Sequence, residues 1–246
     1  MSEDARDYCQ RMAREGDRDA YLAALFAPEP ARGDLWALQA FAHELARIAP
    51  LVSEPMLGEI RLQWWREAME RLFTGRIDNH PVIAALAAAH ARTPFAQAPF
   101  ETLMDARSRD FDPAPFDSLE ALTSHAQDLA GSLFALSFSV LAPGRDLTPL
   151  AQAAGRALIL ARAAQGLFHP HTDLPAALVA AEARHALEEA RARLSKDDAA
   201  RLRPALLPLA LIERDLRTNA KRGAPVPAGS LLRLAGLLAA ALRPEI

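Results

Sequence analysis

The sequence predicts an all-α protein, and three observations support this fold class. Only 11 of 246 residues are glycine and 6% are aromatic, which is unlike a strand-rich sandwich or barrel. No segment shows the sustained period-two alternation of a strand. Proline and glycine instead fall where helices would begin and end, with apolar residues recurring every three to four positions between them. We therefore expect about ten helices in a single domain over residues 1–246.

The predicted helices follow this punctuation in order along the chain. They cover residues 3–15, 17–26, 31–48, 55–74, 81–91, 98–109, 118–142, 149–167, 175–194, 198–220 and 229–242. Prolines mark several starts, at Pro55, Pro81, Pro149 and Pro175. Residues 117–120, DSLE, have the spacing of a capping box. Glycines mark the stops, at Gly75, Gly144 and Gly223. Residues 1–16 are expected to form a flexible N-terminal helix.

The helix over residues 55–74 has the clearest apolar stripe. Its predicted core side contains Ile60, Trp64, Trp65, Ala68, Met69, Leu72 and Phe73. Its predicted solvent side carries Arg61, Arg66, Glu67, Glu70 and Arg71.

Composition excludes several classes of function. The net charge of -3 gives no sign of a nucleic-acid-binding protein, because such proteins concentrate positive charge. The single cysteine, Cys9, excludes an intramolecular disulfide and a cysteine-based zinc site. The acidic N-terminus lacks the apolar stretch of a secretory signal and the composition of a transit peptide. We expect a cytoplasmic protein, with peripheral contact to the inner membrane left open.

The C-terminal segment 230–238, SLLRLAGLL, has two interpretations. It is either a buried terminal helix or an amphipathic helix at a membrane surface. The apolar stretches 130–142 and 231–242 are both too short to span a bilayer.

The sequence contains no phosphate loop, nucleophile elbow or H-E-x-x-H motif. The indication of function comes instead from a resemblance to a known family. Residues 37–48, ALQAFAHELARI, resemble the first signature helix of the squalene/phytoene synthase family. Residues 61–68, RLQWWREA, and 80–86, HPVIAAL, are similar to its next landmarks. Residues 116–131, ending in Ala-Gly, and 155–160, GRALIL, resemble later family segments.

This resemblance implies an isoprenoid-synthase-like fold with helices around a central cavity. Active members of the family join two prenyl diphosphates head to head, using two aspartate-rich motifs that hold magnesium against the diphosphate. Here the expected aspartates are replaced by Ala46 and Pro50 in the first motif and by Gly166 and Pro170 in the second. Without these carboxylates, magnesium has no hard oxygen ligands at the motifs. We therefore expect no cofactor and no magnesium-dependent prenyl transfer.

The segment from Glu44 to Trp65 resembles one branch of the family more than any active synthase. That branch includes the mitochondrial assembly factor of respiratory complex I and its alphaproteobacterial relatives, which also lack the aspartate motifs. The resemblance implies a complex I assembly factor that binds a subunit or an assembly intermediate, and that can also hold a lipid or isoprenoid ligand. The alternative is a prenyl diphosphate-using synthase with relocated magnesium ligands.

Candidate cavity-lining residues follow from the resemblance and from helical spacing. They are His43, Glu44, Arg47, Arg61, Trp64, Trp65 and Arg162. The two tryptophans can equally be ordinary core residues, and Glu44 can simply pair with Arg47 at i,i+3.

Three other clusters of polar residues have a chemical and a structural interpretation. Glu101 and Asp105, with Asp110 and Asp112 nearby, form either a relocated metal site or an exposed acidic face. His169, His171 and Asp173 form either a metal site or a solvated turn. The alternating charges over residues 182–203 form either a solvated helix face or a docking surface for a protein.

Overall fold

The all-α prediction is confirmed by the computed structural model, which describes residues 3–168, 172–222 and 231–242. The α-helices in chain order are α1 (Glu3–Gly16), α2 (Arg18–Ala24), α3 (Ala31–Ala46), α4 (Pro55–Phe73), α5 (Pro81–Arg92), α6 (Ala98–Ser108), α7 (Leu119–Ala126), α8 (Ser132–Leu141), α9 (Thr148–Ala164), α10 (Ala176–Arg193), α11 (Lys196–Leu206), α12 (Ile212–Arg222) and α13 (Leu231–Ala241). Within the described ranges there is no strand, only an isolated bridge between Phe116 and Thr172.

Local sequence signals set most helix ends. Pro55 and Pro81 are the first residues of α4 and α5, where a missing N–H costs nothing. Ser118 is the N-cap of α7, and its hydroxyl oxygen accepts a hydrogen bond from the Ala121 N–H at 3.3 Å. Gly75 adopts a φ of 81° just after α4, a left-handed conformation that favours glycine. Gly223 lies outside the described residues.

Two predicted helices are interrupted. The helix predicted over 118–142 contains a π-helical turn at Gln127–Gly131, between α7 and α8. The helix predicted over 198–220 divides into α11 and α12, joined by a 3₁₀ segment at Leu207–Leu211. Pro208 explains this break, because proline has no N–H for the helical ladder.

A main apolar core runs through the bundle, with two smaller apolar clusters beside it. α9 packs most extensively against α10 and also contacts α8 and the π-helical turn. α1 packs against α3 and α5 with Cys9 and Ala13 buried. Burial raises the pKa of the Cys9 thiol to about 12, so the thiol stays protonated and unreactive at neutral pH.

The predicted stripe of α4 is wrong at two positions. Ile60 is 61% exposed and Trp64 is 39% exposed, so both point away from the core. The buried face contains Trp65 and Met69, as predicted, together with Leu62, which the prediction missed; these three are spaced at i, i+3 and i+7 from Leu62. Apolar residues on both sides of the N-terminal half of α4 make its helical phase ambiguous in the sequence.

The C-terminal helix is packed on one side. Leu237 and Ala241 of α13 are buried in a cluster with Leu207 and Leu211, as the terminal-helix interpretation predicts. Its arginine, Arg233, forms ion pairs with Asp19 and Asp215. In the described part of the chain, no helix has the length and apolar character needed to cross a membrane.

Candidate functional site

A central cavity lies between α3, α8 and α9, as the resemblance implied. Its volume is about 150 Å³. Most of its lining is apolar, including Leu35, Ala42, Ala46, Leu103, Leu129, Ala130, Leu133, Phe134, Leu158 and Ile159. The polar lining residues are Asp17, Gln39, His43, Arg107, Ser137 and Arg162. The cavity is therefore an apolar space with a few polar groups on its wall.

An ion pair between Asp17 and Arg162 forms part of the polar wall. Arg162 of α9 donates to one carboxylate oxygen of Asp17. The other oxygen caps α2 by accepting the N–H groups of Asp19 and Ala20, each at 3.0 Å. Burial alone would raise the pKa of Asp17, but the Arg162 guanidinium and these N–H groups hold it below its usual value. Both carboxylate oxygens of Asp17 therefore already accept hydrogen bonds.

His43 and Gln39 lie one turn apart on α3 and both line the cavity. Burial lowers the pKa of His43, and the nearby Arg47 guanidinium lowers it further, so the imidazole is neutral at neutral pH. The Gln39 amide nitrogen donates to the Ala20 carbonyl at 3.1 Å, whereas its Oε1 is buried without a hydrogen-bond partner among the described residues.

Arg107 contributes a second unfilled hydrogen-bonding group. Its Nη1 donates to Asp110 at 2.9 Å, while its Nε is buried without a partner in the described part of the chain. Among the described lining residues, the fully buried polar atoms without a partner are thus one acceptor, on Gln39, and one donor, on Arg107. Such groups suit a mostly apolar molecule that carries a single polar group.

His43 and Arg162 line the cavity as predicted, but Glu44 and Arg47 do not. Glu44 accepts a hydrogen bond from the Tyr8 hydroxyl at 2.6 Å and another from Arg47 at 3.3 Å. Arg47 also approaches the Met12 sulfur at 3.5 Å. Since Tyr8 and Met12 belong to α1, both side chains lie on the side of α3 that faces α1. Each step along a helix rotates about 100°, which turns this side away from the cavity.

The candidates on α4 also lie away from the cavity. Trp65 is a buried core residue whose ring meets Phe41 at 5.5 Å and His80 at 5.0 Å. Trp64 and Arg61 point outward. Trp65 is therefore an ordinary core residue. The prediction that Arg61, Trp64 and Trp65 line the cavity is wrong.

The four positions at which the resemblance implied aspartates carry no carboxylate, and the structure describes three of them. Ala46 lines the cavity, so the first position faces the expected space with only a methyl group. Pro50 lies beyond the end of α3, in a 3₁₀ turn at Ala49–Leu51. Gly166 follows the end of α9 with a φ of 68°. Pro170 lies outside the described residues.

The described cavity residues do not fit a magnesium–diphosphate site. Among them the one carboxylate is Asp17, and its oxygens are bound to Arg162 and to the start of α2. Magnesium in such sites needs carboxylate oxygens that are free to coordinate it. No cluster of three or more potential metal ligands occurs among the described residues.

The acidic residues of α6 have separate partners. Glu101 accepts from the Gln97 amide at 2.7 Å, and Asp105 accepts from Arg66 at 3.1 Å. Both are exposed, as the acidic-face interpretation predicts. Asp110 pairs with Arg107 instead.

The remaining polar clusters lie only partly within the described residues. His169 and His171 lie outside the described residues, and Asp173 is exposed. The charges over 182–203 form ion pairs within α10 and between helices. Glu189 pairs with Arg193 at 2.8 Å and also with Arg156 of α9, and Arg191 lies 3.7 Å from Glu213 of α12.

The sequence-based prediction missed Asp17, Gln39 and Arg107. Gln39 lies four residues before His43, so helical spacing could have placed it on the same face. Asp17 follows Gly16 directly before a helix, which is an N-cap signal. Nothing local indicates its contact with Arg162, which is 145 residues away.

Comparison with known proteins identifies relatives of this chain. Over 138 residues the chain is 31% identical to "NADH dehydrogenase (ubiquinone) complex I, assembly factor 6" of Rattus norvegicus, covering 56% of this chain and 41% of the relative. It is 25% identical over 141 residues to the 15-cis-phytoene synthase of Synechococcus elongatus, covering 56% of this chain and 44% of that protein. The chain therefore matches less than half the length of these curated relatives.

The fold also has solved counterparts. The crystal structure of squalene synthase HpnC from Alicyclobacillus acidocaldarius superposes with a TM-score of 0.74 at 20% identity, covering 90% of this chain and 95% of that one. This likeness concerns the fold. The family profile described as squalene/phytoene synthase matches residues 13–173. On this match, the chain belongs to the squalene/phytoene synthase family.

Proposed function

We propose that this protein is an assembly factor for respiratory complex I that acts by binding a subunit or an assembly intermediate, without prenyl transfer. The observation that carries the proposal is the cavity wall, whose one described carboxylate, Asp17, is occupied by Arg162 and by the α2 N-cap. The relatives named complex I assembly factor 6 support the assembly role. The proposed place of action is the cytoplasmic face of the inner membrane.

The size of the cavity supports binding over condensation. A volume of about 150 Å³ is below the roughly 300 Å³ at which drug-sized ligand pockets begin. Head-to-head condensation has to hold two prenyl chains at once, whereas one small apolar group needs far less space. The alternative, a synthase with relocated magnesium ligands, has support from the phytoene synthase relative and from the fold.

An enzyme assay separates these two functions. The protein is incubated with farnesyl or geranylgeranyl diphosphate and magnesium, and pyrophosphate release is measured. We expect release at the level of a no-protein control. Release above this level that is abolished by Glu101→Ala or Asp105→Ala would establish the synthase alternative and refute our proposal.

A capture experiment tests the assembly role itself. The tagged protein is isolated from its own cells with mild detergent, and captured proteins are identified by mass spectrometry. We expect complex I subunits to be enriched over a capture with an unrelated tagged protein. A capture that enriches enzymes of isoprenoid metabolism and no complex I subunit would contradict the role.

We further propose that the cavity holds one segment of the apolar part of a single lipid or isoprenoid, as its volume of about 150 Å³ allows. The unfilled Gln39 Oε1 and Arg107 Nε would bind its polar group. Native mass spectrometry of freshly purified protein is expected to show a co-purifying lipid. Ala42→Phe and Ala46→Phe should fill the cavity and abolish lipid binding. Protein that repeatedly carries no lipid would oppose a ligand-carrying role.

A further inference from the structure

The outward face of α4 is an apolar surface that no described helix covers. It consists of Met56, Leu57, Ile60 and Trp64, which are 72%, 45%, 61% and 39% exposed. Their spacing places them on one side of the helix over about two and a half turns. A contiguous row of large exposed apolar side chains marks an interaction surface.

The two long edges of this face differ in how their charges are neutralised. On one edge Glu59 lies 3.8 Å from Arg66, so these charges are paired within the chain. On the other edge Glu54 and Arg61 are exposed, and neither forms an ion pair with a described residue. Glu54 is the N-cap of α4 and Arg61 follows seven residues later, about 10 Å along the axis, so the two residues lie near the same edge but cannot pair with each other.

We infer that this face binds a second copy of the chain, with the two α4 helices antiparallel about a two-fold axis. In a two-fold interface each contact between residues i and j occurs twice. An axis between Leu57 and Gly58 places Arg61 of one chain opposite Glu54 of the other, and the reverse. Met56, Leu57 and Ile60 would then lie between the two ion pairs, as an interface core lies within a polar rim, and Trp64 would lie just beyond them.

A second copy fits this face better than an anionic membrane. Glu54 and Glu59 would be repelled by an anionic lipid surface, whereas a second α4 supplies an arginine opposite Glu54. The inference goes beyond the proposed assembly role and does not depend on it. A single-helix contact is small, so we expect a dissociation constant on the order of 10 µM.

Sedimentation equilibrium of the full chain at about 1 to 300 µM, a range around that expected constant, tests the inference. We expect a monomer–dimer equilibrium in the wild type and monomer throughout for Ile60→Asp. Leu178→Asp, which changes an exposed leucine on α10, is the matched control and should dimerise like the wild type. Far-UV circular dichroism checks that each variant folds.

Charge reversal identifies the register. Glu54→Arg and Arg61→Glu should each weaken dimerisation about tenfold, because like charges then face each other twice. An equimolar mixture of these two variants should restore dimers, since each arginine then meets a glutamate.

Three results would overturn the inference. One is a wild type that stays monomeric over the whole concentration range. Another is dimerisation that Ile60→Asp leaves unchanged, since a different face would then form the dimer. The third is a monomeric wild type that binds anionic phospholipid vesicles through Ile60, which would make the α4 face a membrane contact.

Discussion

At the scale of single residues, His125 is the clearest titrating group. Its ring is buried against Phe116 and Phe168, and Nε2 has no hydrogen-bond partner among the described residues. Burial lowers its pKa to about 4, and Arg107 and Arg109 add to this effect. Between pH 6.5 and pH 4 the unfolded chain therefore binds a proton that the folded chain does not. Stability from His125 is complete above pH 6.5 and is lost as the pH falls towards 4.

Urea unfolding at pH 7 and pH 4.5 measures this loss. The wild type should lose about 2 kcal/mol more than His125→Leu between these two values. His185→Gln, at an exposed histidine of α10, should behave like the wild type. Equal losses in the wild type and in His125→Leu would show that His125 binds its proton in the folded state.

At the scale of elements, two glycines, Gly131 and Gly155, allow α9 to contact the π-helical turn. A Cβ on Gly155 would lie 2.6 Å from the Gly131 Cα, which is closer than real Cβ atoms approach backbone. Gly155→Ala should therefore force α9 away from the turn and cost about 2 kcal/mol of unfolding free energy or more. Chemical denaturation measures this cost.

Gly131→Ala provides the comparison within the same contact. Its nearest neighbour would be the Gln152 Cα at 3.2 Å, which requires a much smaller shift, so its cost should be clearly lower. If Gly155→Ala proved as stable as Gly131→Ala, the close approach of backbone would not be the reason for glycine there.

Local signals predicted most helix ends well, but not which side of the N-terminal half of α4 faces the core. Pro55, Pro81 and Gly75 act through their own backbone, so the sequence alone places the helix ends. The outward position of Ile60 depends on which of two apolar faces of α4 meets the core. The pairing of Asp17 with Arg162 depends on the packing of distant helices, which no local pattern records.

At the scale of the whole molecule, Arg233 joins both ends of the described chain. It lies 2.5 Å from Asp19 of α2 and also pairs with Asp215 of α12, and both carboxylates are buried. Arg233→Met would remove the ion-pair partner of the buried Asp19 and leave Asp215 with Arg214 alone, 3.4 Å away, and should cost about 3 kcal/mol. For a chain of this size that lowers the melting temperature by about 10 °C.

Differential scanning calorimetry provides the measurement, and Arg217→Met provides the control on α12. Arg217 is exposed and lies 3.8 Å from Glu213, so its loss should change stability by about 0.5 kcal/mol at most. Adding Asp19→Asn and Asp215→Asn to Arg233→Met should recover much of the loss. An unchanged melting temperature for Arg233→Met would show that this cluster does not hold α13 in place.

We propose that this family member takes part in complex I assembly and makes no isoprenoid. The most direct measurement is the amount of assembled NADH–quinone oxidoreductase in membranes of a strain that lacks the gene. We predict a strong loss on deletion, with full recovery on complementation by the wild type and by the Glu101→Ala/Asp105→Ala double variant. Normal assembly in the deletion strain, together with loss of a carotenoid or hopanoid product, would contradict the proposed role.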